Sequence, residues 1–241
     1  MLDWLRGASG EAQAIEVAGR VLPLNLKRNP RARRLTLRLA PDGKAVNLTV
    51  PRWTPTRDAL AFATSHREWL ERQLGRLPAA SPVAPGASLP YRGEPHVLDH
   101  DSRHGRQVRI DHGRILLGGA EESLGPRLER WLRKQALELM AHDLVHYCAR
   151  AGQPVPALSL SSAQRRWGSC SQRGGVRMNW RLVMAPDFVR RSVVAHEVTH
   201  LVHFDHSPRF RALLDELYEG EIAEADAWLK RHGRSLYSHF G

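Results

Sequence analysis

The sequence predicts an α+β fold in two lobes: a β-hairpin-rich N-terminal lobe over residues 1–95, and a second lobe over 96–241 with a small sheet and a helix carrying His196 and His200. Three observations predict it. Apolar and polar residues alternate over 35–39 and 46–50, which is strand periodicity. Later in the chain, long stretches carry apolar residues at helical spacing. Between them, residues 78–95 hold five prolines and two glycines in eighteen positions, the composition of a connector.

Taken in order, an early strand pair is expected over 14–27. Leu35, Leu37 and Leu39 then face Val46, Leu48 and Val50 across Pro41-Asp42-Gly43-Lys44, giving a hairpin with one buried face. Thr54 before Pro55 has the form of an N-cap, and Ala59, Ala63, His66, Leu70, Leu74 and Leu77 continue as one helix. After the connector come short strands near 97–98, 107–110 and 114–117. The clearest helix is 126–151, with Leu128, Leu132, Ala136, Met140, Leu144 and Cys148 on its apolar stripe and Gly152 ending it. Cys148 reads as a packed thiol. Strands at 158–160 and 176–180 frame a loop from Arg165 to Gly175. Residues 189–203 form the next helix, Asp205-His206-Ser207-Pro208 breaks it, and helices over 208–217 and 222–232 follow. No internal repeat is visible, and the irregular alternation argues against a doubly wound sheet.

Composition sets the bounds. Of 241 residues, 42% are hydrophobic and 25% charged, which excludes a disordered chain. No apolar run approaches the ~20 residues of a membrane span, and Met1 to Gly10 lacks the apolar core of a secretory signal. Cys148 and Cys170 are too few for a disulfide framework, so a reducing, cytoplasmic setting is expected. The net charge of +11 is the unusual bulk feature. Seven basic residues and no acid lie in 18–41, and seven against Asp187 alone in 164–191. Such a field suits polyanionic partners, nucleic acid among them, or is simply a solvated basic surface.

The chemistry concentrates in His196-Glu197-Val198-Thr199-His200, which fits H-E-x-x-H. Residues four apart share a helix face, so both imidazoles reach one ion. Glu197 lies about 100° round the helix, beside the ion, where it can serve as general base toward a water made more acidic by zinc. Two cysteines exclude a Cys-cluster zinc site. His206 is the favoured third ligand, because the chain break lets it fold back. His203 continues the face but lies ~10.5 Å along the axis from His196. A later glutamate (Glu216, Glu219, Glu221 or Glu224) is the remaining alternative.

Arg166-Trp167-Gly168-Ser169-Cys170-Ser171, Asn179-Trp180-Arg181-Leu182, Ala185-Pro186, the histidine motif and His206-Ser207-Pro208-Arg209-Phe210 resemble, in order and spacing, the YgjP-like metallopeptidase-fold family. The resemblance extends upstream through Leu89 to Pro95 and the basic hairpin, covering most of the chain. It implies a zincin-like second lobe, one zinc ion at His196, His200 and His206, a catalytic Glu197, and kinship with SprT-like and WLM peptidases. It also implies hydrolysis of UTP to UMP and pyrophosphate as an alternative activity. Two departures, Val198-Thr199 inside the motif and Arg211 after Phe210, touch no ligand.

Three functions are therefore open. The first is peptide hydrolysis, with the strand near 176–180 pairing an extended substrate. The second is nucleotide pyrophosphohydrolysis, for which Arg165, Arg166, Arg177 and Arg181 would bind phosphate oxygens and Trp167 would stack or act as an anchor. The third is a basic nucleic-acid-binding protein with a structural metal, which would call for four protein ligands. Cys170 reads as a buried strand thiol, with a fourth, redox-sensitive ligand as its alternative.

Overall fold

The computed structural model describes residues 13–77, 81–172 and 174–240, so the reading of Met1 to Gly10 lies outside the described residues. The architecture is α+β, with three small sheets and six α-helices among the described residues. The chain divides into two compact units, Met1–Pro78 and Ala79–Gly241. The expected boundary lies after residue 95, but the strand Ser88–Tyr91, inside the expected connector, pairs with Glu94–His100 in the second unit.

In the first unit, β1 (Ala14–Val17), β2 (Arg20–Asn29), β3 (Thr36–Leu39) and β4 (Val46–Pro51) form one sheet in the order β1-β2-β4-β3. The two-residue turn Ala18-Gly19 has positive φ at both positions (50° and 71°), the geometry that matches strand twist in a tight hairpin. The expected β3–β4 hairpin forms, pairing Leu37 with Leu48 and Leu39 with Val46. Ile15, Val17, Leu22, Leu24, Val46, Leu48 and Val50 face inward and pack with Ala59, Ala63 and Leu70.

The single helix expected behind Thr54 is instead two, α1 (Thr56–Ser65) and α2 (Arg67–Gly75). Thr64 donates to the Leu60 carbonyl at 3.0 Å, Ser65 to Phe62 at 2.9 Å, and His66 Nδ1 lies 2.9 Å from the same Phe62 oxygen. Three successive side chains thus compete for helix carbonyls, and the helix breaks at His66. Nor does the Thr54 side chain cap α1, which begins after Pro55 with no side-chain cap.

In the second unit, β5 (Ser88–Tyr91), β6 (Glu94–His100), β7 (Arg109–Asp111) and β8 (Arg114–Leu117) form a sheet ordered β5-β6-β8-β7. This is the strand order of the first unit again: an antiparallel hairpin, a parallel neighbour, then an antiparallel edge strand. The repeat escapes the sequence because it lives in strand pairing and turn dihedrals, not in residue identity. A third sheet, ordered β10-β11-β9, contains β9 (Leu158–Ser161), β10 (Gly168–Cys170) and β11 (Val176–Asn179). β10 lies within the expected loop, and Trp180 opens a 3-10 turn (Trp180–Met184) instead of extending β11.

The helices are α3 (Leu124–Arg150), α4 (Asp187–Val202), α5 (Pro208–Leu217) and α6 (Ile222–His232), close to expectation. Leu128, Leu132, Ala136, Met140, Leu144 and Cys148 are fully or nearly fully buried on α3, so the packed-thiol reading of Cys148 holds. α4 is fixed against α3 by Arg190 and Asp143, each side chain 3% exposed, with Nε donating to Oδ2 at 2.7 Å. Asp187 joins Arg190 to Arg92 in the β5–β6 turn. Breaking such a network leaves an uncompensated buried charge, so it sets the position of α4 firmly. Among the described residues no helix is long and apolar enough to cross a membrane.

Candidate metal centre

α4 carries His196, Glu197 and His200, and the chain then reverses to return His206. His203 ends the helix in an extended conformation (φ −128°, ψ 112°). Asp205 Oδ1 accepts from the Ser207 N–H at 3.3 Å, and Ser207 Oγ caps α5 by accepting from the Phe210 N–H at 3.4 Å. One candidate ligand nitrogen from each of His196, His200 and His206 lies within 4.8 Å of the others, the group among the described residues able to hold a metal ion. The His203 ring and the later glutamates are not in that group. Glu219 is instead engaged by Tyr147, His146, Arg150 and Arg191.

The ring geometry suits a shared cation. The Nε2 atoms of His196 and His206 stand 3.3 Å apart; two nitrogens each ~2.05 Å from one tetrahedral ion would stand about 3.3 Å apart. His200 Nδ1 lies 3.0 Å from the His203 carbonyl, which favours its N–H tautomer there and turns Nε2 toward the group. Burial, then the neighbouring rings of His200 and His206, lower His196 to about 4. Burial also lowers His200, although its bond to the His203 carbonyl acts the other way. Both rings are held toward the neutral, lone-pair-bearing form a ligand requires.

Beneath the three rings lies a residue that the resemblance includes but to which the sequence assigned no role. Phe210, 2% exposed, has its ring centroid 5.0, 4.7 and 4.8 Å from those of His196, His200 and His206. A phenylalanine four residues after the returning histidine was the available signal.

Glu197 is 5% exposed, and burial raises it to about 7 against the Cys170 N–H bond and the Arg166 charge, both of which lower it. Its Oε2 is buried with no hydrogen-bond partner, a costly state for a group with no role. Gly168 makes the fit. A Cβ there would lie 2.7 Å from Glu197 Cγ and 2.8 Å from Cδ. Glycine inside a strand often marks such a close approach. Gly168→Ala is expected to displace the carboxylate, cut turnover while metal is retained, and destabilise by about 1–3 kcal/mol through overpacking. Steady-state rates beside denaturant unfolding check this; unchanged values in both would remove the constraint.

The proposed substrate residues divide. Arg165 and Arg166 are exposed, and the Arg166 charge reaches Glu197. Arg177 is exposed on β11, in register with Ser169 and Ser159. Trp167 packs inward against Tyr237 at 5.8 Å, with a Gly233 Cβ excluded 2.9 Å from its ring, so it is an anchor and not a stacking platform. Arg181 contradicts its expected role. It is 7% exposed, sits 4.6 Å from the Trp180 and Tyr237 rings, and donates to the Phe240 carbonyl, so it is core structure. Cys170 is half-buried, and burial, then the Glu197 carboxylate, raises its thiol away from the reactive thiolate. Its sulfur is not in the candidate group.

β11, expected to receive an extended substrate, is the middle strand; the edges are β10 and β9, and β10 is the one that meets Glu197. Asn179 N–H donates to Trp167 and Ser171 N–H to Gly175, so alternate residues face β11, while Gly168 and Cys170 direct their backbone groups outward. The Cys170 N–H duly meets Glu197. Val202, at the end of α4, is 39% exposed, whereas Thr199 is fully buried with its hydroxyl bonded to the Ala195 carbonyl at 2.8 Å.

A family model described as YgjP-like, metallopeptidase domain, matches residues 33–232. Comparison with curated proteins and with solved structures found no match.

Proposed function

Because the chain belongs to the YgjP-like metallopeptidase-domain family, we propose that it is a zinc-dependent hydrolase of the metallopeptidase type, with one zinc ion held by His196, His200 and His206 and Glu197 as general base. The observation that carries this reading is the orphaned, buried Oε2 of Glu197 on the helix that presents two of three converging imidazoles. Three converging imidazole nitrogens, with the His196 and His206 pair at tetrahedral spacing, fit zinc, and three protein ligands leave the open position that a catalytic site keeps and a closed structural site lacks. The structural-metal alternative is disfavoured for that reason.

The ion, when bound, supplies Lewis acidity toward a substrate carbonyl and toward water. The chain supplies the rest. Glu197 accepts the water proton at Oε2 and later delivers it to the leaving amine, while the Cys170 N–H holds the other carboxylate oxygen in place. The His203 carbonyl fixes the tautomer of His200, and Phe210 floors the rings. The outward backbone groups that Glu197 leaves free on β10, those of Gly168 and the Cys170 carbonyl, suit pairing with an extended peptide.

Nucleotide pyrophosphohydrolysis stays as the second reading on one observation, the exposed Arg165-Arg166 pair with Arg166 acting on Glu197. It loses Arg181 to the core. The test is incubation of the zinc-loaded protein with an unstructured protein and, separately, with UTP, using Glu197→Gln as the blank. New peptide N-termini are expected, without pyrophosphate. Pyrophosphate release with the protein substrate left intact selects the nucleotide reading, and neither product sinks both.

A further inference from the structure

The first unit carries a feature that the proposed hydrolase chemistry does not use. Its sheet has one face packed on α1 and α2, through Leu22, Leu24, Val46, Leu48 and Val50 against Ala59, Ala63 and Leu70. The opposite face bears polar and cationic side chains in cross-strand register, with Glu16 and Val21 paired at its β1 end. One row runs Asn25, Asn47, Arg38, and the next Lys27, Thr49, Thr36. Asn25 Nδ2 donates to Asn47 Oδ1 at 3.2 Å across the strands, which holds the first row in order.

The parallel pairing of β2 with β4 adds to this charge. Both strands end at the same edge of the sheet, and β3 begins there, so the loop bearing Arg31, Arg33 and Arg34 lies beside the Lys27 row. Arg31, Arg33, Arg34, Arg38 and Lys27 are all exposed, and among the described residues none has a carboxylate partner. Arg28 is the informative exception. It turns to the other side and donates to the Arg52 and Thr54 carbonyls and to Thr56 Oγ1, bracing the turn into α1. On the helices charges are mixed, Arg57 with Asp58 and Arg72 with Glu68. Charge is therefore segregated within the unit, not spread evenly as on an ordinary solvated surface.

We infer that this open face is a nucleic-acid backbone-binding surface, read through phosphate and sugar and not through bases. Cations that repel one another without acidic partners suit a polyanion. The interleaved amides and hydroxyls of Asn25, Asn47, Thr36 and Thr49 are the donors and acceptors that accompany Lys and Arg at phosphate and sugar oxygens. An anionic lipid surface fits less well, since these rows offer no apolar side chain to insert and the exposed Val21 lies apart from them at the β1 end. The surface is independent of the metal centre and stands or falls without it.

The test uses the full chain and two labelled probes, a short DNA duplex and a single-stranded RNA, with fluorescence anisotropy across a salt series. Arg33→Glu/Arg34→Glu/Arg38→Glu is compared with Arg57→Glu/Arg67→Glu/Arg72→Glu, which changes net charge equally from the helical side. The sheet-face variant is expected to bind at least about 10-fold more weakly, and its slope of log K against log salt to flatten by about 2.7, roughly 0.9 for each lost phosphate contact. The helical variant is expected to stay within about threefold of the parent. Equal losses in the two variants would reduce the effect to net charge and overturn the inference. So would absent or salt-insensitive binding by the parent protein, or tighter binding to anionic vesicles than to either nucleic acid. Should circular dichroism show the triple variant unfolded, Arg33→Ala/Arg34→Ala, outside every strand, carries the same comparison.

Discussion

Glu197→Gln is expected to keep its zinc and to lose hydrolytic turnover by about 10²–10⁴-fold, the range a positioned general base contributes. The substitution is nearly isosteric, which matters in a site this tight: Gly168 leaves no room even for a methyl beside the carboxylate. A glutamine oxygen can still accept from the Cys170 N–H, so the helix and its rings stay where they are. What changes is the second atom. Oε2 is the one buried oxygen of the pair with no partner, and an amide nitrogen in its place cannot take a proton. Rates measured beside metal content by mass spectrometry decide the matter. Turnover within about twofold of the parent, with zinc intact, would transfer the proton step to another group.

His206→Ala is expected to weaken zinc binding well beyond the ~10–100-fold that loss of a supporting partner costs, while His203→Ala stays within that range. The contrast follows from what each residue offers. His206 presents a ring nitrogen 3.3 Å from that of His196. His203 offers the main-chain carbonyl that orients His200, and alanine retains a carbonyl there. Competition against a chromophoric chelator reads both affinities without reference to activity. The reverse order would move the ligand role to the His203 ring and demand a different end to α4.

Much of the fold follows from local rules that the sequence displays openly. α3 has an apolar stripe long enough to leave no other period in contention, and Ser207-Pro208 signals the start of α5 through side-chain capping and a fixed proline φ. The β3–β4 hairpin is legible because both strands alternate and a turn sequence separates them. β10 is not. Gly-Ser-Cys is too short to alternate, and its pairing with β11 depends on partners distant from any local window. The break at His66 was missed for another reason: apolar spacing continues straight through it, while the competing side-chain bonds from Thr64, Ser65 and His66 leave no mark on that spacing. Arg181 was misassigned because an arginine in a basic segment reads as surface, whereas two aromatic rings and a carbonyl from the C-terminal end make burial tolerable.

By itself the sequence determined the chemistry available: two imidazoles and a carboxylate on one helix turn, and a third imidazole just past a break, since i and i+4 share a face whatever surrounds them. It also determined the charge of the first unit. Only the tertiary structure decided which atoms could use that chemistry. Glu197 has one oxygen bonded and one orphaned because an edge strand lies against it, and the arginines divide between core and solvent by packing. Those outcomes depend on approaches between residues far apart in the chain, where steric fit and desolvation, not local propensity, choose among arrangements the sequence alone leaves equal.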